Sequence, residues 1–140
     1  MEARIKWLEQ VAFVGESGSG HSVVLDGDPD HGGRNIGLRP MEAMLIGAGA
    51  CSAFDVISIL KKSRQAVSDC VVELRANRAD EAPRVFTSID MNFVVTGRAL
   101  SEKSVARAVR LSAEKYCSAT AMLRAGGVEV SHRFELRESG

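Results

Sequence analysis

A run of twenty mostly apolar residues, Met41–Leu60, constrains this chain more than any other feature. It is long enough to span a bilayer. Glu42 and Asp55 lie inside it, together with Gly47 and Gly49. An ionised carboxylate near a bilayer centre is expensive, so the run reads as a central helix buried inside protein. Pro40 suits the first turn of that helix, where its missing N–H would be unpaired anyway. The basic cluster Lys61, Lys62 and Arg64 suits its C-terminus.

The surroundings of such a helix must be built from 140 residues, which fits a single domain over 1–140. Eighteen basic residues balance eighteen acidic ones. A neutral chain lacks the positive field that a nucleic-acid or anionic-membrane partner requires. The start, "MEARIKWLEQ", is charged and has no apolar core of a signal peptide. A cytoplasmic chain with reduced thiols is therefore expected, without a disulfide framework. Its cysteines, Cys51, Cys70 and Cys117, are spaced 70 − 51 = 19 and 117 − 70 = 47 residues apart. Neither interval matches a zinc motif, and His21, His31 and His132 form no HxxxH pair. No metal and no cofactor is expected.

Before the helix, "RIKWLEQVAFVGESGSGHSVVLDG" reads as a hairpin. One strand would carry Ile5, Trp7, Val11, Phe13 and Val14, the next Val23, Val24 and Leu25, with "GESGSG" as the turn. A Gly-, Pro- and Asp-rich loop leads to Pro40. After the helix, "CVVELRANRAD" and "RVFTSIDMNFVVTG" read as strands, the second with Val85, Thr87, Ile89, Met91, Phe93 and Val95 on one face. Ser101 is a suitable N-cap for a helix over about Glu102–Tyr116. Val105, Val109, Ser112 and Tyr116 have helical spacing within it. "CSATAMLRAGG" reads as a short helix stopped by glycine, and "VEVSHRFEL" as a closing strand. The order ββ-α-ββ-α(α)-β gives an α+β fold with mainly antiparallel sheets around the central helix.

On that helix the polar residues cluster. At about 100° per residue, with Cys51 at zero, Asp55 falls near 40°, Ser58 near −20° and Lys62 near 20°, whereas Ser52 falls near 100°. Gly47, Ala48, Gly49, Ala50 and Ala53 make a collar that admits another backbone closely. Cys51 is open to two readings: a small hydrophobe in a tight crossing, or a thiol held in a dry setting. Cys117 stands where one helix stops and another starts, and a helix N-terminus favours a thiolate. Cys70 opens a strand and reads as packing. A helix apolar on nearly all sides, with few other elements to cover it, points to a homodimer.

The stretches "RPMEAMLIGAGACSAFDVISILKK" and "AEKYCSATAML" together resemble the OsmC/Ohr family of thiol-dependent peroxidases, most closely its YhfA-like branch. The resemblance covers nearly the whole chain. It implies an OsmC-like fold in an intertwined homodimer, with sites at the subunit interface. It also implies a peroxidatic role for Cys51 and a resolving role for Cys117. The chemistry implied is reduction of an organic or hydrogen peroxide through a sulfenic acid and an intramolecular disulfide, reset by a dithiol reductant, in oxidative stress defence. Where the family has an acid directly after proline, Met41 stands here and the acid is Glu42, about 180° from Cys51 on the helix. "VGESGSGHS" holds no arginine, and Arg39 and Arg34 are the nearest substitutes for the family's cation. A non-catalytic dimer of this fold, binding a small molecule or sensing redox state, is the alternative.

Overall fold

The computed structural model describes residues 1–140, with six β-strands and three α-helices in an α+β arrangement. The chain divides into two compact units, Met1–Met44 and Leu45–Gly140.

The first unit is a meander of β1 (Ala3–Glu9), β2 (Ala12–Ser17) and β3 (Ser22–Leu25), antiparallel and adjacent in that order. The expectation of a single strand through Ile5–Val14 is corrected here. The chain reverses between Glu9 and Ala12, and Trp7 lies opposite Phe13. Gln10 adopts a φ of 48° to make that turn, and the Trp7 indole donates to its carbonyl at 2.8 Å. None of the usual turn residues marks the reversal, so the apolar pattern reads straight through it.

The loop after β3 is organised by Asp26, whose side chain is buried. Its carboxylate accepts the backbone N–H groups of Gly27, Arg34 and Ile36 at 2.7, 3.1 and 3.3 Å. Those donors hold the carboxyl below its usual range, with burial opposing them. The loop closes tightly at Gly33, where a Cβ would stand 2.0 Å from the Gly27 carbonyl oxygen.

Helix α1 spans Pro40–Lys62, with the bounds its flanking residues announce. The Arg39 N–H donates to the Glu42 carboxylate at 2.8 Å, the returning half of a capping box. The helix is less enclosed in the single chain than its composition leads one to expect. Ala48, Ser52, Val56 and Leu60, each one turn after the last, form a buried line with Gly49. Met44, Ile46 and Phe54 are exposed.

In the second unit β4 (Ala66–Arg78) runs antiparallel to β5 (Phe86–Arg98), and β6 (Glu129–Glu138) runs parallel to β5 on its other edge. The parallel pair requires a crossover, supplied by α2 (Glu102–Leu111) and α3 (Ser118–Ala125), both packed on β6. As the middle strand β5 is buried without a break from Met91 to Val95, the signature of a strand covered on both faces. Ile89, Met91, Phe93 and Val95 share one face as expected, but Val85 lies outside the strand and Thr87 is exposed. A register shift between Asn77 and Arg78 ends the alternation there, as a bulge does.

Candidate active site

The connection between α2 and α3 sets the site. Ser101 caps α2, accepting the Ser104 N–H at 3.2 Å, and Val105, Ala108 and Val109 face inward. The helix does not continue to Tyr116 in α form as expected: Ser112–Tyr116 is a π-helical turn. The Cys117 N–H reaches back five residues to the Ser112 carbonyl at 2.9 Å. The wider turn rotates the residues at its end relative to an α-helical path, so Tyr116 is half exposed rather than aligned with Ser112. Arg124 donates to the Ala113 carbonyl inside this turn and approaches His132 Nδ1 at 3.4 Å. Cys117 then leaves helical geometry, at φ −73° and ψ 104°, as the N-cap of α3.

From that position Cys117 meets α1. Its sulfur, the Cys51 sulfur and an Asp55 carboxylate oxygen all lie within 4.8 Å of one another. Cys51 and Asp55 are one helical turn apart, hence on one face. The Ser52 hydroxyl, fully buried, donates to Cys117 Sγ at 3.1 Å. Ser112, also buried, shares its hydroxyl hydrogen between the Ser52 carbonyl at 3.2 Å and Asp55 Oδ2 at 3.3 Å. Thr120 donates to the Cys117 carbonyl at 3.3 Å.

These contacts make the two thiols unequal. Burial pushes the Cys117 thiol up, but donation from Ser52, from the Thr120 hydroxyl and N–H, and from Cys51 together outweighs it and lowers the thiol. For Cys51 the Ala119 N–H favours the thiolate; burial, the Cys117 sulfur and the Asp55 charge oppose it and prevail, and the thiol is raised. Of the two thiols, Cys117 is thus the one its surroundings favour as the thiolate. Accessibility runs the other way: Cys117 is 2% exposed, whereas Cys51 is partly open.

A cleft of about 680 Å³ opens at Asp55, lined also by Ser58 and Lys62 from the polar stripe of α1 and by Arg107 and Tyr116, while neither cysteine lines it. The glycine collar divides into two functions. A Cβ at Gly49 would stand 2.8 Å from a Leu74 methyl, so that glycine admits β4, whereas nothing approaches Gly47. Cys70 is half-buried on β4, and burial with the nearby Asp69 charge raises its thiol.

The structure thus brings Cys51 and Cys117 together. Glu42 and Arg39 belong to the first unit. Glu42 holds the Arg39 N–H, and the Arg39 guanidinium donates to Asn35 Oδ1 at 2.7 Å and pairs with Asp28 at 3.7 Å. Sequence reasoning does not reach Ser52, Ser112 and Thr120 as site residues. Ser52 falls well off the Cys51 stripe, and only the position of Cys117 reveals its use.

A family model described as OsmC-like protein matches residues 31–133. The chain belongs to the OsmC-like family. It is 51% identical to protein YhfA of Escherichia coli K12 over 97% of this chain and 98% of that one. Among solved structures, a hypothetical protein from Aquifex aeolicus VF5 superposes with a TM-score of 0.86 at 30% identity, over 99% of this chain and 97% of that one. An organic hydroperoxide resistance protein OsmC from Legionella pneumophila shares the fold, with a TM-score of 0.72 and 16% identity over 96% and 95% of the two chains.

Proposed function

We propose that this OsmC-like protein is a thiol-dependent peroxidase that reduces organic or hydrogen peroxides, its two units serving as one OsmC-like domain. The observation that carries the reading is the Cys51–Cys117 pair, with sulfurs within 4.8 Å of each other and of an Asp55 carboxylate oxygen. The name of the Legionella relative, organic hydroperoxide resistance protein, agrees with it.

The partly open Cys51 is the attacking thiol. As its sulfur bonds to one peroxide oxygen and the O–O bond breaks, its proton passes to the Cys117 thiolate. The departing alkoxide takes that proton and leaves as alcohol. Cys51 is now a sulfenic acid, and Cys117, again a thiolate, attacks it to form the disulfide; the hydroxide expelled takes a proton from solvent and leaves as water. The buried Ser52, Thr120 and α3 amides keep Cys117 ready for this second step. A dithiol reductant returns both thiols. Glu42 and Arg39 are proposed to support the site, and the chain to work as a homodimer. Exposed Ile46 and Phe54 on one apolar helix, Pro40–Lys62, support a second copy that covers them. The balance of eighteen basic and eighteen acidic residues supports a protein without nucleic-acid partners, and a cytoplasmic location is proposed with it.

A redox-sensing or ligand-binding dimer is the second reading. It is favoured by the raised Cys51 thiol and by the engagement of Arg39 with Asp28 and Asn35.

Stopped-flow mixing of reduced protein with cumene hydroperoxide separates the two. The enzyme loses two thiols per chain rapidly; a free-thiol background rate supports the sensor. Cys51→Ser should abolish turnover, Cys117→Ser should leave sulfenic acid that persists or over-oxidises, and Cys70→Ser should turn over normally. A disulfide through Cys70 as the main product would reverse these assignments.

A further inference from the structure

We propose that the reduced site is also a binding site for a thiophilic divalent cation such as Zn²⁺, with Cys51, Cys117 and Asp55 as its protein ligands, and that formation of the disulfide releases the ion. The basis is the donor set. Two sulfurs and one carboxylate oxygen lie within 4.8 Å of one another. A tetrahedral zinc with Zn–S near 2.3 Å needs sulfurs about 3.8 Å apart, so the ligands have little distance to close. Thiolate with carboxylate suits zinc and cadmium, and three protein ligands leave a fourth position open.

The ligands also have the support that a metal site needs. Cys51 and Asp55 project from one face of α1, one turn apart, the spacing by which helices commonly present a ligand pair. Cys117 comes from the α2–α3 junction, where the π turn fixes it. Ser112 hydrogen-bonds Asp55 at 3.3 Å and Ser52 hydrogen-bonds Cys117 at 3.1 Å, the outer contacts that orient ligands. Asp55 lines the open cleft, which gives an ion access and leaves room for a water in the fourth position. The distance between the cysteines in sequence, 117 − 51 = 66 residues, hides this set from any reading of short motifs.

The balance is simple. Binding M²⁺ to the two sulfurs displaces the protons that the thiols hold into solvent. Oxidation of the bound dithiolate by a hydroperoxide takes two electrons and two protons, yields disulfide, alcohol and water, and frees M²⁺. The disulfide sulfurs no longer carry the charge that held it. Ion occupancy and free thiols are therefore alternatives at one site.

The probe is Cd²⁺ added to reduced, reductant-free protein, followed by thiolate-to-cadmium absorption in the ultraviolet. The expected result is saturation at one ion per chain with two thiolates engaged, displaced by excess Zn²⁺. Asp55→Asn should bind about tenfold more weakly or worse, since even an outer-shell partner is worth that much. Cys70→Ser should match the wild type. Wild-type protein in which mass spectrometry finds the Cys51–Cys117 disulfide should give no band, a control that needs no substitution. The proposal is overturned by the lack of a band in reduced wild type, by a band undiminished in Cys117→Ser or in the disulfide form, by unchanged affinity in Asp55→Asn, or by loss of the band in Cys70→Ser. Binding of the ion rests on the donor set alone, and only its release by a hydroperoxide rests on the peroxidase reading. No peroxide enters the assay, so failure of one leaves the other standing.

Discussion

The Ser52 hydroxyl donates to Cys117 Sγ across 3.1 Å, tying the buried line of α1 to the first residue before α3. Ser52 has no exposed surface, so solvent does not replace the donor when it is removed. A hydrogen bond to a charged group contributes about 1.5–3 kcal/mol, and about 1.4 kcal/mol moves a pKa by one unit. Ser52→Ala should therefore raise the Cys117 thiol. The pH profile of iodoacetamide alkylation, read at Cys117 by mass spectrometry, checks this; an unmoved profile would remove Ser52 from the site.

The unequal thiols also predict how stability depends on pH. The Cys117 thiol is lowered from its ordinary 9.0 by the Ser52, Thr120 and Cys51 donors against burial. Below 9.0 the unfolded chain holds that proton more tightly than the folded one, so the contribution of Cys117 grows as pH rises toward 9.0. It is lost as pH falls through the lowered value. Cys51 is raised and acts oppositely: its contribution is whole below 9.0 and fades above it. Reduced wild type should gain stability over Cys117→Ser as pH rises toward about 9. Urea melts of the two proteins across that range test it, and a constant difference would contradict an ionised Cys117.

Glu42 combines a cap with a proposed role, and one substitution separates them. Glu42→Gln keeps an acceptor for the Arg39 N–H, so the start of α1 and the thermal midpoint should hold. If the carboxylate charge supports the thiol chemistry, peroxide kcat/KM should fall about a hundredfold, the lower end of what a positioned acid or base contributes. Unchanged turnover would confine Glu42 to its cap.

Phe54 is 74% exposed on α1. In the proposed homodimer it is covered, and a charge there would be buried without a partner. Phe54→Glu should shift light scattering from twice 15.0 kDa to the single-chain mass. Wild-type protein that stays at 15.0 kDa in micromolar solution would itself refute the dimer.

Legibility in the sequence tracks locality. The ends of α1 are legible because Pro40 and the Lys61–Lys62 pair act on their own neighbours. The Cys51 stripe is legible because Asp55, Ser58 and Lys62 share one helical period, and all three line one cleft. The β1–β2 reversal is not, because Gln10 takes its positive φ without a glycine or asparagine to announce it. The π turn is not either, since Ser112–Tyr116 continues an ordinary helical pattern. Ser52 escapes because its value comes from a partner 117 − 52 = 65 residues away. The family motifs name both thiols, but only the fold identifies the hydroxyls that separate their acidities.

The parallel seam between β5 and β6 bears on the order in which the chain assembles itself. β4 and β5 are neighbours in sequence and can zip as a hairpin, whereas Ser88 must wait for Glu129 before β6 joins. Contacts of such separation form late, because the intervening loop must be closed first. Cys117 lies within that intervening segment. During synthesis, which proceeds from the N-terminus, Cys51 and Cys70 are both present well before their chain reaches Cys117. An oxidant arriving in that interval meets Cys51 and Cys70, a pair the proposed mechanism does not use, before the last strand is in place.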